Sequence, residues 1–287
     1  MIKVAITGSR GFLGKHLVSR LKNTYNSIKI IEINFDLGYD LLDKDSLNSI
    51  KFFDVLIHLA AKSYVPDSFR NPRSFYKTNV LGTLNALELC RKFNAKMIFT
   101  SSYVYGSPIY LPINEVHPLR AFNPYAQSKL IAEDLCHAYN RDFDIPSVIF
   151  RPFNIYGKGQ KEHFLIQSII NQAKTGKIML KDSRPKRDYI YIDDIVSAYI
   201  KAINYSFNGV EVFNLGSGVS TSIKGLTKIF LKHIDNDFTI KFSEERRKNE
   251  VLETLADIKK AQNLLEWEPL ISIDEGISRI IKEDKCQ

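Results

Sequence analysis

Tyr125 and Lys129 are the residues of this chain best suited to carry a reaction. Four apart in Tyr125-Ala126-Gln127-Ser128-Lys129, they fall on one face of a helix. A phenol with a pKa of about 10 is a poor base at neutral pH. A neighbouring ammonium favours the phenolate and brings that value down. Such a pair can take a proton from a hydroxyl or return one to a ketone. It needs a hydride acceptor beside it, and the N-terminus offers a place for one. Met1-Ile2-Lys3-Val4-Ala5-Ile6-Thr7 reads as a buried parallel strand, and Gly8, Gly11 and Gly14 follow it three apart. The helical spacing of Leu17, Val18 and Leu21 comes next. Strand, glycine turn and helix in that order predict a dinucleotide site. Gly8 makes the tight turn, Gly11 lets a pyrophosphate approach, and Gly14 lets helix and strand pack. The free amides at the helix start, at Phe12, Leu13 and Gly14, then face the phosphates.

The choice of dinucleotide is set by two residues that pull in opposite directions. A second apolar run, Ile28-Lys29-Ile30-Ile31, ends at Glu32. That is close to the offset of roughly twenty residues at which a carboxylate meets the adenosine ribose. Glu32 would repel the extra phosphate of NADP and so favours NAD. Arg10, inside the turn, could pair with that phosphate instead. NAD is the expected cofactor, with NADP possible.

The elements that must hold these groups follow in a regular rhythm. Asp54-Val55-Leu56-Ile57-His58-Leu59-Ala60-Ala61 is an apolar strand that stops at small residues, and a long helical segment covers 74–93. Lys96-Met97-Ile98-Phe99-Thr100-Ser101-Ser102 is another strand with hydroxyls at its carboxyl end. Asn123 and Pro124 open the Tyr125 helix as cap and first-turn residue. Ser147-Val148-Ile149-Phe150 is the next strand. Alternation of this kind predicts an α/β fold, a Rossmann doubly wound parallel sheet with helices on both faces. Ligands sit beyond the carboxyl ends of its strands, where Gly8, Ala60, Ser101 and Arg151 would gather. After about residue 155 the rhythm loosens into polar loops between helical segments. The expected organisation is a cofactor domain over 1–155 that also receives segments near 188–215. A small substrate-binding lobe would be built from 156–187 and 216–287.

Composition narrows the class. The chain has 287 residues, enough for one α/β domain and a smaller lobe. Its net charge is +8, but the basic residues are dispersed and no RNA-binding signature appears, so a phosphorylated substrate accounts for them better than nucleic acid. No apolar stretch reaches the roughly twenty residues of a membrane span. A core strand directly after Met1 leaves no room for a signal peptide. Cys90, Cys136 and Cys286 have neither metal nor disulfide spacing, and no metal site is expected. Reduced thiols and a cytoplasmic location are the expectation.

The motifs together resemble the extended short-chain dehydrogenase/reductases that act on nucleotide sugars, the NAD-dependent epimerase/dehydratases. The resemblance spans nearly the whole chain: TGSRGFLG at 7–14, DVLIHLAA at 54–61, NVLGT at 79–83, TSSYVYG at 100–106, NPYAQSK at 123–129, RPFNIYG at 151–157, RDYIYIDD at 187–194, NLGSG at 214–218 and LLEWEP at 264–269. It implies that Tyr125 is the general acid/base, Lys129 its partner and Ser101, five residues before Gly106, the third catalytic group. Asp40 and Leu41 would meet the adenine, and Leu59, Ala60 and Ala61 would lie along the cofactor. Asn79 would support the active-site helix. Ser102, Asn154, Arg187 and Arg247 would contact the substrate, the last three its diphosphate. A homodimer is implied as well.

One departure narrows the reaction. Members that eliminate water from the sugar resemble one another in an acidic residue just after the position matched by Ser101, whereas Ser102 and Tyr103 stand here. That disfavours a 4,6-dehydratase. Three readings are left: a nucleotide-sugar 4-epimerase that keeps NAD bound, a 4-keto-6-deoxy nucleotide-sugar reductase that consumes NAD(P)H, and a non-catalytic cofactor sensor. The sensor would be expected to lack Tyr125 or Lys129, and Glu32 tilts the remaining choice to the epimerase.

Overall fold

The computed structural model describes residues 1–25, 27–234, 239–243, 245 and 250–285. Strand β1 (Ile2–Thr7) turns at the glycines into α1 (Phe12–Thr24), and β2 (Ile28–Ile33) lies parallel to β1. A single turn, α2 (Lys44–Leu47), precedes β3 (Val55–His58). Then come α3 (Val65–Arg70), α4 (Pro72–Tyr76), α5 (Gly82–Phe93), β4 (Lys96–Thr100), α6 (Pro124–Phe143) and β5 (Ser147–Pro152). The chain continues through β6 (Asn154–Tyr156), α7 (Leu165–Ala173), β7 (Lys177–Leu180), β8 (Lys186–Tyr191), α8 (Ile192–Asn204) and β9 (Val210–Leu215). It ends with β10 (Ser220–Ser222), α9 (Ile223–His233), β11 (Thr239–Phe242), α10 (Lys259–Leu265) and α11 (Ile273–Lys285).

The main sheet runs β2-β1-β3-β4-β5-β9, every pair parallel. Alternate side chains enter opposite layers, as the pleat requires. Val4, Ile6, Ile57, Ile98, Val148 and Phe150 pack with α1 and α8, whereas Ala5, Leu56, Met97, Phe99 and Ile149 pack with α5 and α6. Strand order reverses beside β1, so a crevice opens at the carboxyl ends of β1 and β3.

Strand β8 joins β10 and β6 in a separate sheet, and β11 pairs with β7 in a third. The expectation had placed the segment near 188–215 with the main sheet; α8 and β9 lie there, but β8 does not. A second apolar centre of Tyr156, Ile169, Tyr191, Phe230 and Ile277 holds the lobe together. The chain wraps back through Trp267, whose indole Nε1 donates to Asp194 O and Ser197 Oγ, both at 2.9 Å. The Asp194 carboxylate then accepts the amides of Leu270 and Ile271 at 3.0 and 3.1 Å. Two of the sequence motifs, at 187–194 and 264–269, therefore meet as a structural latch.

The helical segment expected over 74–93 is interrupted. Between α4 and α5 the chain makes one wide turn of the π type over Lys77–Leu81, a device common at functional sites. Among the described residues no helix is long and apolar enough to cross a membrane.

Candidate active site

The glycine turn has the shape expected of it. Gly8 sits at φ +66°, and a Cβ on it would lie 2.8 Å from the amide nitrogen of Ala60. A Cβ on Gly14 would lie 2.6 Å from the carbonyl oxygen of Ser9. Only glycine permits these approaches. Gly11 precedes α1 in an extended conformation, with no side-chain cap and no acid in the first turn. The amides of Phe12, Leu13 and Gly14 thus open an unblocked, electropositive helix end. The Phe12 ring stands edge-on to His16 at 5.6 Å. The cradle fits a dinucleotide pyrophosphate.

Glu32 and Arg10 both lie at the rim of this cradle, and both are paired: Glu32 with Lys22, Arg10 with Asp36. Asp40 bonds its own turn, its Oδ1 accepting the amide of Leu42 at 2.9 Å. The carbonyl of Leu41 accepts Asn85 Nδ2 at 2.6 Å. The run Leu59-Ala60-Ala61 leaves β3 alongside β1: the amides of Leu59 and Ala60 reach the carbonyl and hydroxyl of Thr7, both at 3.3 Å.

Helix α6 aims the reactive pair. Asn123 Oδ1 accepts the amide of Ala126 at 2.8 Å, and Pro124 preorganises the first turn. Tyr125 stands one turn before Lys129, its ring edge-on to Phe75 at 6.4 Å. Burial raises the Tyr125 phenol above its ordinary value, and the Ser102 hydroxyl opposes that rise. Lys129 is buried, donates to Thr100 O at 2.6 Å and stands 4.8 Å over the Phe99 ring. Burial brings its ammonium down to about 8, against the pull of Glu133.

Ser101 does not join this pair. Its hydroxyl donates to Glu133, one helical turn beyond Lys129, which in turn holds Arg151 through Nη2 at 2.5 Å and Nε at 3.0 Å. The hydroxyl beside Tyr125 is that of Ser102, which is buried and makes no hydrogen bond of good geometry. After Thr100 the chain has left strand geometry, so side-chain direction no longer alternates, and Ser101 and Ser102 face different partners. Glu133 itself escaped the sequence reading, although Tyr125, Lys129 and Glu133 share one helix face at intervals of four.

Asn79 lies in the wide turn and reaches two elements. Its Oδ1 accepts the amide of Lys62 at 2.9 Å, and its Nδ2 donates to Ser128 Oγ at 2.9 Å. Ser128 Oγ bonds the Tyr125 carbonyl at 2.7 Å. A second chain of contacts passes behind it. His58 bridges Thr7 Oγ1 at 2.8 Å and Thr83 Oγ1 at 3.1 Å, and Thr83 donates to Asn79 O at 2.6 Å. Burial, with the Lys129 charge adding to it, pushes His58 down to about 3, so it stays neutral. His58 ties the glycine-turn strand to α5, and through Thr83 and Asn79 to the helix that carries Tyr125.

Asn154, Arg187 and Asp188 are held by hydrogen bonds and one ion pair. Asn154 Nδ2 donates to Asp188 O at 3.0 Å. Arg187 donates through Nη2 to Glu250 and through Nη1 to Val251 O at 2.6 Å. The buried Asp188 carboxylate accepts three amides, from Ser217 at 2.6 Å, Gly218 at 3.0 Å and Ala256 at 3.1 Å. Arg247 lies outside the described residues. Tyr103 donates its hydroxyl to Gly106 O at 2.6 Å.

Two loops meet through aromatic rings. Tyr64, in the loop after β3, packs on His163, in the loop after β6, with ring centroids 4.0 Å apart. That second loop starts at Gly157, where a Cβ would lie 2.8 Å from Ile192 Cβ. It is pinned to α1 by His16 Nε2, 2.9 Å from Lys158 O. It forms a strap from the start of α1 to Tyr64, and no sequence pattern marks that partnership.

The profile of the NAD dependent epimerase/dehydratase family matches residues 4–216. The chain belongs to that family. It is 34% identical to a Methanocaldococcus jannaschii protein provisionally named a UDP-glucose 4-epimerase, over 97% of both chains. It is 31% identical to the GDP-6-deoxy-D-mannose reductase of Pseudomonas aeruginosa, over 98% of this chain and 96% of that one. Among solved structures, RMD from Pseudomonas aeruginosa complexed with NADPH superposes with a TM-score of 0.91 at 31% identity, covering 99% of this chain and 98% of that one. The UDP-glucose 4-epimerase of Thermotoga maritima, solved with UDP-glucose, superposes with a TM-score of 0.89 at 26% identity, covering 99% of each.

Proposed function

We propose that the chain performs redox chemistry at C4 of a nucleotide-diphosphate sugar, as a nucleotide-sugar 4-epimerase. Gly8, Gly11 and the amides of Phe12, Leu13 and Gly14 hold the cofactor's pyrophosphate, Glu32 and Arg10 face its adenosine ribose, Asp40 and Leu41 its adenine, and Leu59, Ala60 and Ala61 its length. Bound there, NAD supplies the acceptor and then the donor of hydride. Tyr125 takes the C4 hydroxyl proton onto its phenolate oxygen and later returns it. Lys129 lowers the cost of that phenolate by its charge, and Ser102 replaces Ser101 as the hydroxyl that holds the C4 oxygen in line. Asn154, Arg187 and Arg247 hold the diphosphate.

The observation that carries the epimerase reading is the strap closed by Tyr64 on His163. An epimerase must retain its dinucleotide through both half-reactions, and a strap that joins the loops after β3 and β6 opposes release. The second reading, a 4-keto reductase that exchanges NAD(P)H at every turnover, is favoured by the cations paired with Glu32 and Asp36. We also propose a cytoplasmic homodimer. The buried free thiols of Cys90 and Cys136 suit a reducing compartment, and sedimentation tests the dimer.

The deciding experiment is to denature the purified protein and identify what it releases, then to supply a UDP-hexose without added dinucleotide. Stoichiometric NAD and interconversion of the C4 epimers are expected. Empty sites, with NADPH consumed on a 4-keto-6-deoxy sugar, would transfer the assignment to the reductase.

A further inference from the structure

Glu32 is level with Ile6 in β1, and the amide of Gly8 donates to the carbonyl of the next residue, Ile33, at 3.1 Å. A carboxylate so placed hydrogen-bonds ribose hydroxyls and repels a phosphate on the 2′ oxygen. In this chain it does not act alone. Lys22 Nζ, from the last turn of α1, lies 2.8 Å from Glu32 Oε1. Arg10 Nη1, from inside the glycine turn, lies 3.5 Å from Asp36 Oδ2. Two carboxylates and two cations share the rim, and their charges cancel. The Glu32 carboxyl is held below its ordinary range, by Lys22 foremost, with Arg10 contributing. The two partners differ in freedom: the Lys22 side chain is 57% exposed and that of Glu32 27%. The ammonium, on a flexible four-carbon stem, can follow an incoming anion while the carboxylate stays at the ribose.

The geometry points to Lys22 as the residue that sets the choice between NAD and NADP: by neutralising Glu32, it opens the ribose rim to a 2′-phosphate. The inference rests on the dinucleotide assignment and extends it to a residue of α1 outside the glycine turn. Arg10 supplies the second cation, but it shares its charge with the more exposed Asp36.

The test is a set of binding titrations with NADH and NADPH on the wild type, Lys22→Met, Glu32→Gln and the double variant. The ratio of the two affinities is the readout, because it is insensitive to the fraction of protein that is folded. The wild type is expected to bind both within about tenfold, the scale of one screened charge interaction near a protein surface. Lys22→Met should weaken NADPH about tenfold relative to NADH, Glu32→Gln should shift the ratio the other way, and the double variant should return near the wild-type ratio. A wild type that disfavours NADPH by more than about a hundredfold, or a Lys22→Met ratio equal to that of the wild type, overturns the role of Lys22. Failure to bind either dinucleotide would instead overturn the assignment on which it rests.

Discussion

Around the glycine turn, contacts are made by backbone atoms and small side chains, and little has to move. Gly8 and Gly14 leave space no other residue could leave, and Ser102 keeps a buried hydroxyl uncommitted. Around Arg187 the opposite holds: the guanidinium is already engaged by Glu250 and by the carbonyl of Val251. The first region is preorganised, and a ligand meets groups fixed by the main chain. In the second, a diphosphate held as proposed would have to compete with an acid for its arginine. Errors in the first region should therefore appear in turnover, and errors in the second in substrate affinity.

Tyr125→Phe is the largest break. The ring still packs on Phe75, but the proton carrier is gone. Turnover should fall by about 10²–10⁴-fold, with dinucleotide affinity kept. Near-native turnover would remove Tyr125 from the reaction.

Ser101 and Ser102 divide the first region. Ser102→Ala should lower kcat by about 10–100-fold, as expected for one hydrogen bond to a charged group. Ser101→Ala should leave kcat within a few-fold but lower the melting temperature, since Glu133, which also holds Arg151, loses a buried partner. If the two variants exchange these phenotypes, Ser101 is the third group after all.

Arg187 and Glu250 probe the second region. Arg187→Ala should raise KM for a nucleotide sugar about tenfold, leave dinucleotide binding unchanged and weaken a free nucleoside diphosphate in calorimetry. Glu250→Gln should lower KM, because the guanidinium no longer has a competing anion. A Glu250→Gln variant with raised KM would show that the acid orients the arginine instead of restraining it.

The smallest effect is a pH dependence. Lys129 has a folded value of about 8, below the unfolded value of about 10.4. Between those values the unfolded chain binds more protons, so stability rises with pH across that window. Lys96, which burial also brings to about 8, contributes to the same rise. Melting curves of Lys129→Met should show a shallower rise between about pH 8 and 10, and an unchanged slope would mean that Lys129 is charged in the fold throughout.

The preorganised region was largely legible. Glycine spacing, strand length and the four-residue step from Tyr125 to Lys129 are local, and local periodicity survives folding. Which way Ser101 and Ser102 face was not legible, because the stretch from Thr100 to Gly106 has no period to count by. The wide turn at Asn79 was invisible for a similar reason: its residues read as ordinary helix, and the distortion comes from the partners Asn79 reaches at Lys62 and Ser128. The pairing of β8 with β6 and β10, the grip of Glu250 on Arg187 and the contact of Tyr64 with His163 join residues far apart in the chain. No spacing rule encodes such pairs.

Trp267 is the only tryptophan in the chain, and it is 1% exposed where the C-terminal segment wraps onto α8. The protein therefore carries one indole fluorophore, which excitation to the red of tyrosine absorption isolates, at one known seam. Its emission should be blue-shifted while the latch to Asp194 holds and move to the red when that segment lifts, before or together with loss of the main sheet. Comparing this optical signal with far-ultraviolet dichroism during denaturant unfolding would show whether the C-terminal wrap and the parallel sheet melt as one cooperative unit or as two.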